Sequence, residues 1–111
     1  MTPWPTEIRL DNAKTTLTVS FDSGERFALP AEYLRVESPS ADVQGHSPEQ
    51  KQVVTGKRHV KIVGLEPVGN YAVRLTFDDG HDTGLYSWDW LFMLGCEMDT
   101  KWGEYLVSQG R

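Results

Sequence analysis

Leu75-Thr76-Phe77-Asp78-Asp79-Gly80 decides how the chain is read, because Val19-Ser20-Phe21-Asp22-Ser23-Gly24 states the same pattern in the first half. In both, apolar and polar residues alternate and then run into an Asp-x-Gly turn. A period of two is the signature of a half-buried strand. Asp-Gly suits a tight hairpin turn, since Gly takes positive φ without strain. Outward from the second copy, Tyr71, Val73, Leu75 and Phe77 alternate with Ala72, Arg74 and Thr76, and His81 to Tyr86 reads as the returning strand. Outward from the first, Leu17, Val19 and Phe21 share a face, and Phe27 and Leu29 follow on the return. Ile8 and Leu10 precede the first pair. Val60 and Ile62 lead to Leu65 before the second, with Pro67 to Asn70 as the turn between.

The correspondence extends further. Leu29 falls on Leu85 and, with one residue inserted, Tyr33-Leu34 falls on Trp90-Leu91. A repeat of this kind fixes architecture. Pro30 introduces a short helix, Ala31 to Val36. Ser87 is placed to cap a second helix carrying Trp88, Trp90, Leu91 and Leu94 and closed by Gly95. Asp99 or Thr100 can cap a last helix, whose Trp102, Tyr105 and Leu106 form one apolar stripe. The expected fold class is therefore α+β: two pseudo-repeated antiparallel β-meanders, near residues 8–29 and 60–86, each followed by a short helix, plus a C-terminal helix. Two half-buried meanders cover their apolar faces most simply against each other. The expected core is Leu17, Val19, Phe21, Leu29, Leu34, Ile62, Val73, Leu75, Phe77 and Leu91.

A chain of 111 residues with 39% hydrophobic content and twelve aromatic residues (four each of Trp, Tyr and Phe) fits a single globular domain, 1–111. Within it, residues 37–58 read as one long polar loop, and residues 38–57 are expected to be the least ordered internal segment. The net charge of −5 argues against nucleic acid or an anionic membrane as partner. No apolar run is long enough to span a bilayer, and the first residues lack the features of a signal peptide. The single cysteine, Cys96, excludes an internal disulfide. Together these make a cytoplasmic address the expectation.

No complete catalytic set is present. There is no GxSxG, P-loop, GxGxxG or HExxH pattern, so the chain is read as a non-enzyme without catalytic residues. His81, next to the Asp79-Gly80 turn, and His46, in the polar loop, are the candidate metal ligands. Two histidines alone give only a weak, exchangeable site for iron or zinc, and no cofactor is expected to be needed for folding. His59 follows Lys57-Arg58 and reads as solvated. Trp88 and Trp90, at i and i+2, do not face one side of a helix. One of them is thus a candidate exposed anchor for a protein partner.

Pro5-Thr6-Glu7-Ile8-Arg9-Leu10, Leu34-Arg35-Val36-Glu37-Ser38-Pro39-Ser40-Ala41, Gly69 through His81, and Tyr86-Ser87-Trp88-Asp89-Trp90-Leu91 together resemble the γ-butyrobetaine hydroxylase-like N-terminal domain family, formerly domain of unknown function 971. The resemblance is to the stand-alone bacterial type. It implies a domain that is not the catalytic part of the hydroxylases, and one that also accompanies ATPases of iron–sulfur cluster assembly. The implied role is a non-catalytic accessory or protein-interaction module linked to iron–sulfur or other metalloprotein assembly. The alternative is a metal-binding protein that uses His81. The hydroxylases bind zinc through a C-x-C-x-x-C loop and a later His. The resemblance carries these onto Ser38, Ser40, Val43 and His81, where only the His remains a good ligand. A structural zinc site takes about four nitrogen or sulfur donors, so the zinc site is expected to be missing.

Overall fold

A computed structural model describes residues 3–111 of the chain. Two three-stranded antiparallel sheets carry the fold. The first holds β1 (Pro5–Leu10), β2 (Thr16–Phe21) and β3 (Arg26–Pro30), followed by α1 (Ala31–Val36). The second holds β4 (Ile62–Val68), β5 (Ala72–Phe77) and β6 (Leu85–Ser87), followed by α3 (Trp88–Cys96). Between the halves lie α2 (Ala41–Gln44) and a 3-10 turn, Pro48–Gln50, and α4 (Met98–Ser108) ends the chain. This is the α+β arrangement that the alternation predicts. All ten expected core residues are buried, none more than 3% exposed.

The duplication extends to individual hydrogen bonds. Gly24 and Gly80 have φ of 94° and 93°, and their N–H groups donate to Phe21 O and Phe77 O, each at 3.0 Å. Phe21 N–H donates to Glu25 O, as Phe77 N–H does to His81 O. A register shift between Pro5 and Glu7 recurs between Ile62 and Gly64. Trp4 N–H donates to Asp22 Oδ1 and Lys61 N–H to Asp78 Oδ1, both at 3.1 Å.

The halves also bond to each other reciprocally. Tyr33 O–H donates to Leu94 O at 2.6 Å, and Trp90 Nε1–H to Glu37 O at 3.0 Å. Tyr33 corresponds to Trp90, and Glu37 to Leu94, so one contact is made twice with roles exchanged. That exchange is what a two-fold relation imposes on its interface.

The structure corrects several local readings. Leu85 is 43% exposed, whereas Tyr86 is fully buried and pairs with Val73 as Leu29 pairs with Leu17. The inserted residue therefore precedes β6, and Leu29 corresponds to Tyr86. The returning strand is shorter than residues 81–86, because the segment from His81 to Gly84 makes side-chain contacts in place of ladder bonds. Tyr71 lies outside β5 and is 54% exposed. Helix α3 continues through Gly95 to Cys96, and α4 begins at Met98, ahead of Asp99 and Thr100, with no side-chain cap. The polar loop is not featureless: buried Val43 anchors α2, Ser40 caps it, and Lys51 Nζ grips both Glu37 oxygens at 2.6 and 2.8 Å.

Candidate functional site

The two-fold relation supplies a comparison within the molecule. In the first half, Phe21, Phe27 and Phe92 meet edge to face, with centroids 5.1–6.1 Å apart. Phe27 covers Gly95 so closely that a Cβ there would lie 2.3 Å from its Cγ. In the second half the repeat places Gly84 where Phe27 stands, Ser38 where Gly95 stands and Arg35 where Phe92 stands. Gly84 covers Ser38 in the same way, its notional Cβ 2.5 Å from Ser38 Oγ. An aromatic plug in one half is thus a polar crevice in the other. The architecture accepts the apolar filling, so the polar one is a departure specific to the second half.

The crevice is a connected network. Ser38 Oγ accepts from Ser40 N–H at 3.2 Å and lies 2.9 Å from His81 Nε2. A hydroxyl both donates and accepts, so Ser38 meets a neutral imidazole in either tautomer. Ser40 Oγ lies 2.7 Å from Thr83 Oγ1, and Thr83 O–H also reaches Asp42 Oδ2. Asp79 Oδ2 takes Arg35 Nε at 2.9 Å and Lys57 Nζ at 2.6 Å, while its Oδ1 takes His81 N–H at 3.0 Å. Burial alone would raise the Asp79 carboxyl, but these donors hold it well below the usual carboxylate range. Burial, with Arg35 nearby, lowers His81 against the pull of Asp79, Asp42 and Asp82, and favours the neutral ring.

Ser38 and His81 have the separation of a nucleophile and its base, yet Ser38 is fully buried beneath Gly84. A substrate cannot reach its hydroxyl, and the pair acts as a clasp between the α1–α2 connection and the segment after β5. The implied zinc does not fit either. The two serine oxygens are committed to hydrogen bonds, and Val43 is 2% exposed and packs as an apolar residue. Among the described residues, no group of three His, Cys, Asp or Glu side chains could hold a metal ion. His46 is exposed, its N–H held by Gln50 Oε1 at 2.8 Å, and none of its described hydrogen bonds reaches the clasp.

A second departure from symmetry is aromatic. Trp88 donates its ring N–H to Asn70 O at 2.8 Å and its backbone N–H to Tyr71 O at 3.1 Å. Trp4 stands edge-on to it, centroids 6.3 Å apart at 70°. Trp4 and Tyr71 are 48% and 54% exposed. In the other half the same backbone positions hold Lys61, Thr15 and Ala31. Ala31 N–H donates to Thr15 O, and Lys61 O accepts from Asp78 N–H as Trp4 O accepts from Asp22 N–H. Of the two tryptophans singled out from sequence, Trp88 joins this surface, whereas Trp90 turns to Glu37 O within the symmetric interface. Sequence reading missed Trp4. Its signal was available: a large aromatic ahead of an edge strand, matched in the repeat by a lysine.

A sequence profile described as gamma-butyrobetaine hydroxylase-like, N-terminal, matches residues 8–92. Among solved structures, the chain is similar to a protein of unknown function of the DUF971 family from Acidithiobacillus ferrooxidans. That crystal structure shares 42% identity at a TM-score of 0.70, covering 84% of this chain and 93% of the other. Two solution NMR structures share 45% and 48% identity, each at a TM-score of 0.81. They cover 100% and 96% of this chain, and 90% and 80% of theirs. No curated protein matches.

Proposed function

Because the chain belongs to the gamma-butyrobetaine hydroxylase-like N-terminal family, we propose that it is a non-catalytic accessory module that works by docking a protein partner. The observation that carries this reading is the face formed by Trp4, Trp88 and Tyr71. Tryptophan and tyrosine dominate binding energy at interfaces, and the duplicated half shows that the fold does not require them there. The partner class, taken from the family resemblance, is a component of iron–sulfur or other metalloprotein assembly, and the compartment is the cytoplasm. Nucleic acid and anionic membrane are not expected partners of a chain with net charge −5. Among the described residues no helix is long and apolar enough to cross a membrane. The buried Ser38–His81 clasp, which holds the crevice by hydrogen bonds, supports a fold that needs no metal and a crevice that performs no catalysis.

The test is site-specific photo-crosslinking in cells. A photoreactive amino acid is placed at position 4 in one variant and at position 61, its symmetry counterpart, in another. A discrete crosslinked species from position 4 and none from position 61 is expected. Equal yields from both, or none from either, would remove the basis for this reading.

A further inference from the structure

We propose that the Trp4–Trp88 face receives a cationic side chain, arginine or lysine, presented by the partner. The inference rests on the docking role above and adds the chemistry of what docks. Three observations point to it.

Trp88 has already committed its ring N–H to Asn70 O. What it and the half-exposed Trp4 offer is π surface, which attracts cations electrostatically. Next, a carboxylate bonded to the Trp4 backbone and another adjacent to Trp88 in sequence are without cationic partners. Asp22 Oδ1 accepts the Trp4 backbone N–H at 3.1 Å, and Asp89 follows Trp88 on the exposed side of α3. Neither belongs to an ion pair among the described residues, whereas Glu7 on the adjoining strand is already paired with Arg9. Finally, the repeat places Lys61 where Trp4 stands, on a backbone bonded in the same way to Asp78. At this position one half carries a cationic side chain and the other an aromatic ring, while the carboxylate below it, Asp78 or Asp22, belongs to no ion pair among the described residues in either half. The chain's net charge of −5 favours the approach of such a partner at long range.

The experiment is a titration of the full ¹⁵N-labelled chain with a tetra-arginine peptide and, separately, a tetra-norleucine peptide, read at the indole N–H signals of Trp4 and Trp88. Tetra-arginine should move both signals, and less so at high salt. Trp4→Ala should weaken its binding by roughly threefold to tenfold, the range one cation–π contact carries. Asp22→Asn, which keeps the acceptor for Trp4 N–H and removes only the charge, should also weaken it. Both variants should keep the wild-type spectrum away from the face, which separates lost binding from lost fold. Movement by tetra-norleucine alone would overturn the cationic assignment while leaving a docking face in place. No movement by either peptide, or unchanged affinity in Trp4→Ala, would also overturn it. Conversely, the expected titration without any crosslink from position 4 in cells would uphold the chemistry and sink the docking role.

Discussion

Replacing Gly95 by Ala tests the two-fold reading against ordinary helix propensity. Gly95 lies in the last turn of α3, and in an exposed helix the change would stabilise by up to about 1 kcal/mol. Here the added Cβ would meet Phe27 Cγ, Cδ2 and Cδ1 at 2.3, 2.4 and 2.7 Å. Ordinary carbon contacts sit at roughly 3.5–4.0 Å. Cγ is fixed close to the β3 backbone and cannot swing aside as a chain end would. Phe27 is further held by Phe21 and Phe92. Relief therefore requires α3 to lift from the first sheet by about 1 Å or more. Overpacking of this kind costs about 1–3 kcal/mol, so the clash wins and the variant should lose about 1–2 kcal/mol. Urea unfolding read by tryptophan fluorescence measures it. In a Phe27→Leu background the same substitution should become nearly neutral, which isolates the ring as the cause. A Gly95→Ala variant more stable than wild type would show that the crevice is not closed as described, and the comparison between the two crevices would fall with it.

Phe77→Ala should cost roughly 3–5 kcal/mol, checked by denaturant unfolding; a loss below about 1 kcal/mol would place the ring outside the core. Asp79 has a depressed carboxyl, so its contribution is present above the unfolded value near pH ~3.9 and is lost as pH falls below that. Acid unfolding of Asp79→Asn should accordingly show a flatter limb below about pH 4. His81 is also depressed, so its contribution is full above about pH 6.5 and declines as pH falls from there toward its folded value. His81→Asn should flatten that higher window, and an unchanged profile would mean the clasp does not depend on a neutral ring. A strong chelator should leave the melting temperature unchanged; a large drop, abolished by His81→Ala, would establish a metal at the clasp.

Periodicity exposed the strands because Leu17, Val19, Phe21, Val73, Leu75 and Phe77 have one buried face, and a one-residue slip would turn that face to water. It misplaced the short last strand because Leu85 and Tyr86 are adjacent and both apolar, and only pairing with Val73 decides which points inward. Helix ends were harder still. Ser87 does cap α3, but α4 starts without a side-chain cap, so Asp99 and Thr100 misled. His81 was visible as an outlier beside a turn. Its partner Ser38 was not, because a serine is informative only once the fold brings it within 2.9 Å of the ring. Trp4 escaped notice because its meaning depends on its counterpart Lys61, an equivalence that the matching bonds to Asp22 and Asp78 establish.

Duplication makes the chain its own control, and both departures from symmetry flank the β5–β6 hairpin. Asp79 to Gly84 connect the two strands at one end, whereas Tyr71 precedes β5 and Trp88 follows β6 at the other. The polar crevice is the costlier of the two. It replaces an aromatic plug with buried groups that must all be paired, and Arg35 Nη1 is buried without a hydrogen-bond partner among the described residues. In return, the crevice ties the 37–58 segment to the second half through Ser38, Ser40 and Lys57. The aromatic face joins the halves through the Trp4–Trp88 edge-to-face contact and leaves Trp4 half exposed to solvent. On the proposed reading the two sites have separate tasks, internal fastening and external recognition. Substitutions at Ser38 or His81 should then lower stability without altering arginine-peptide binding at Trp4, and substitutions at Trp4 should weaken that binding while leaving the Ser38–His81 contact in place.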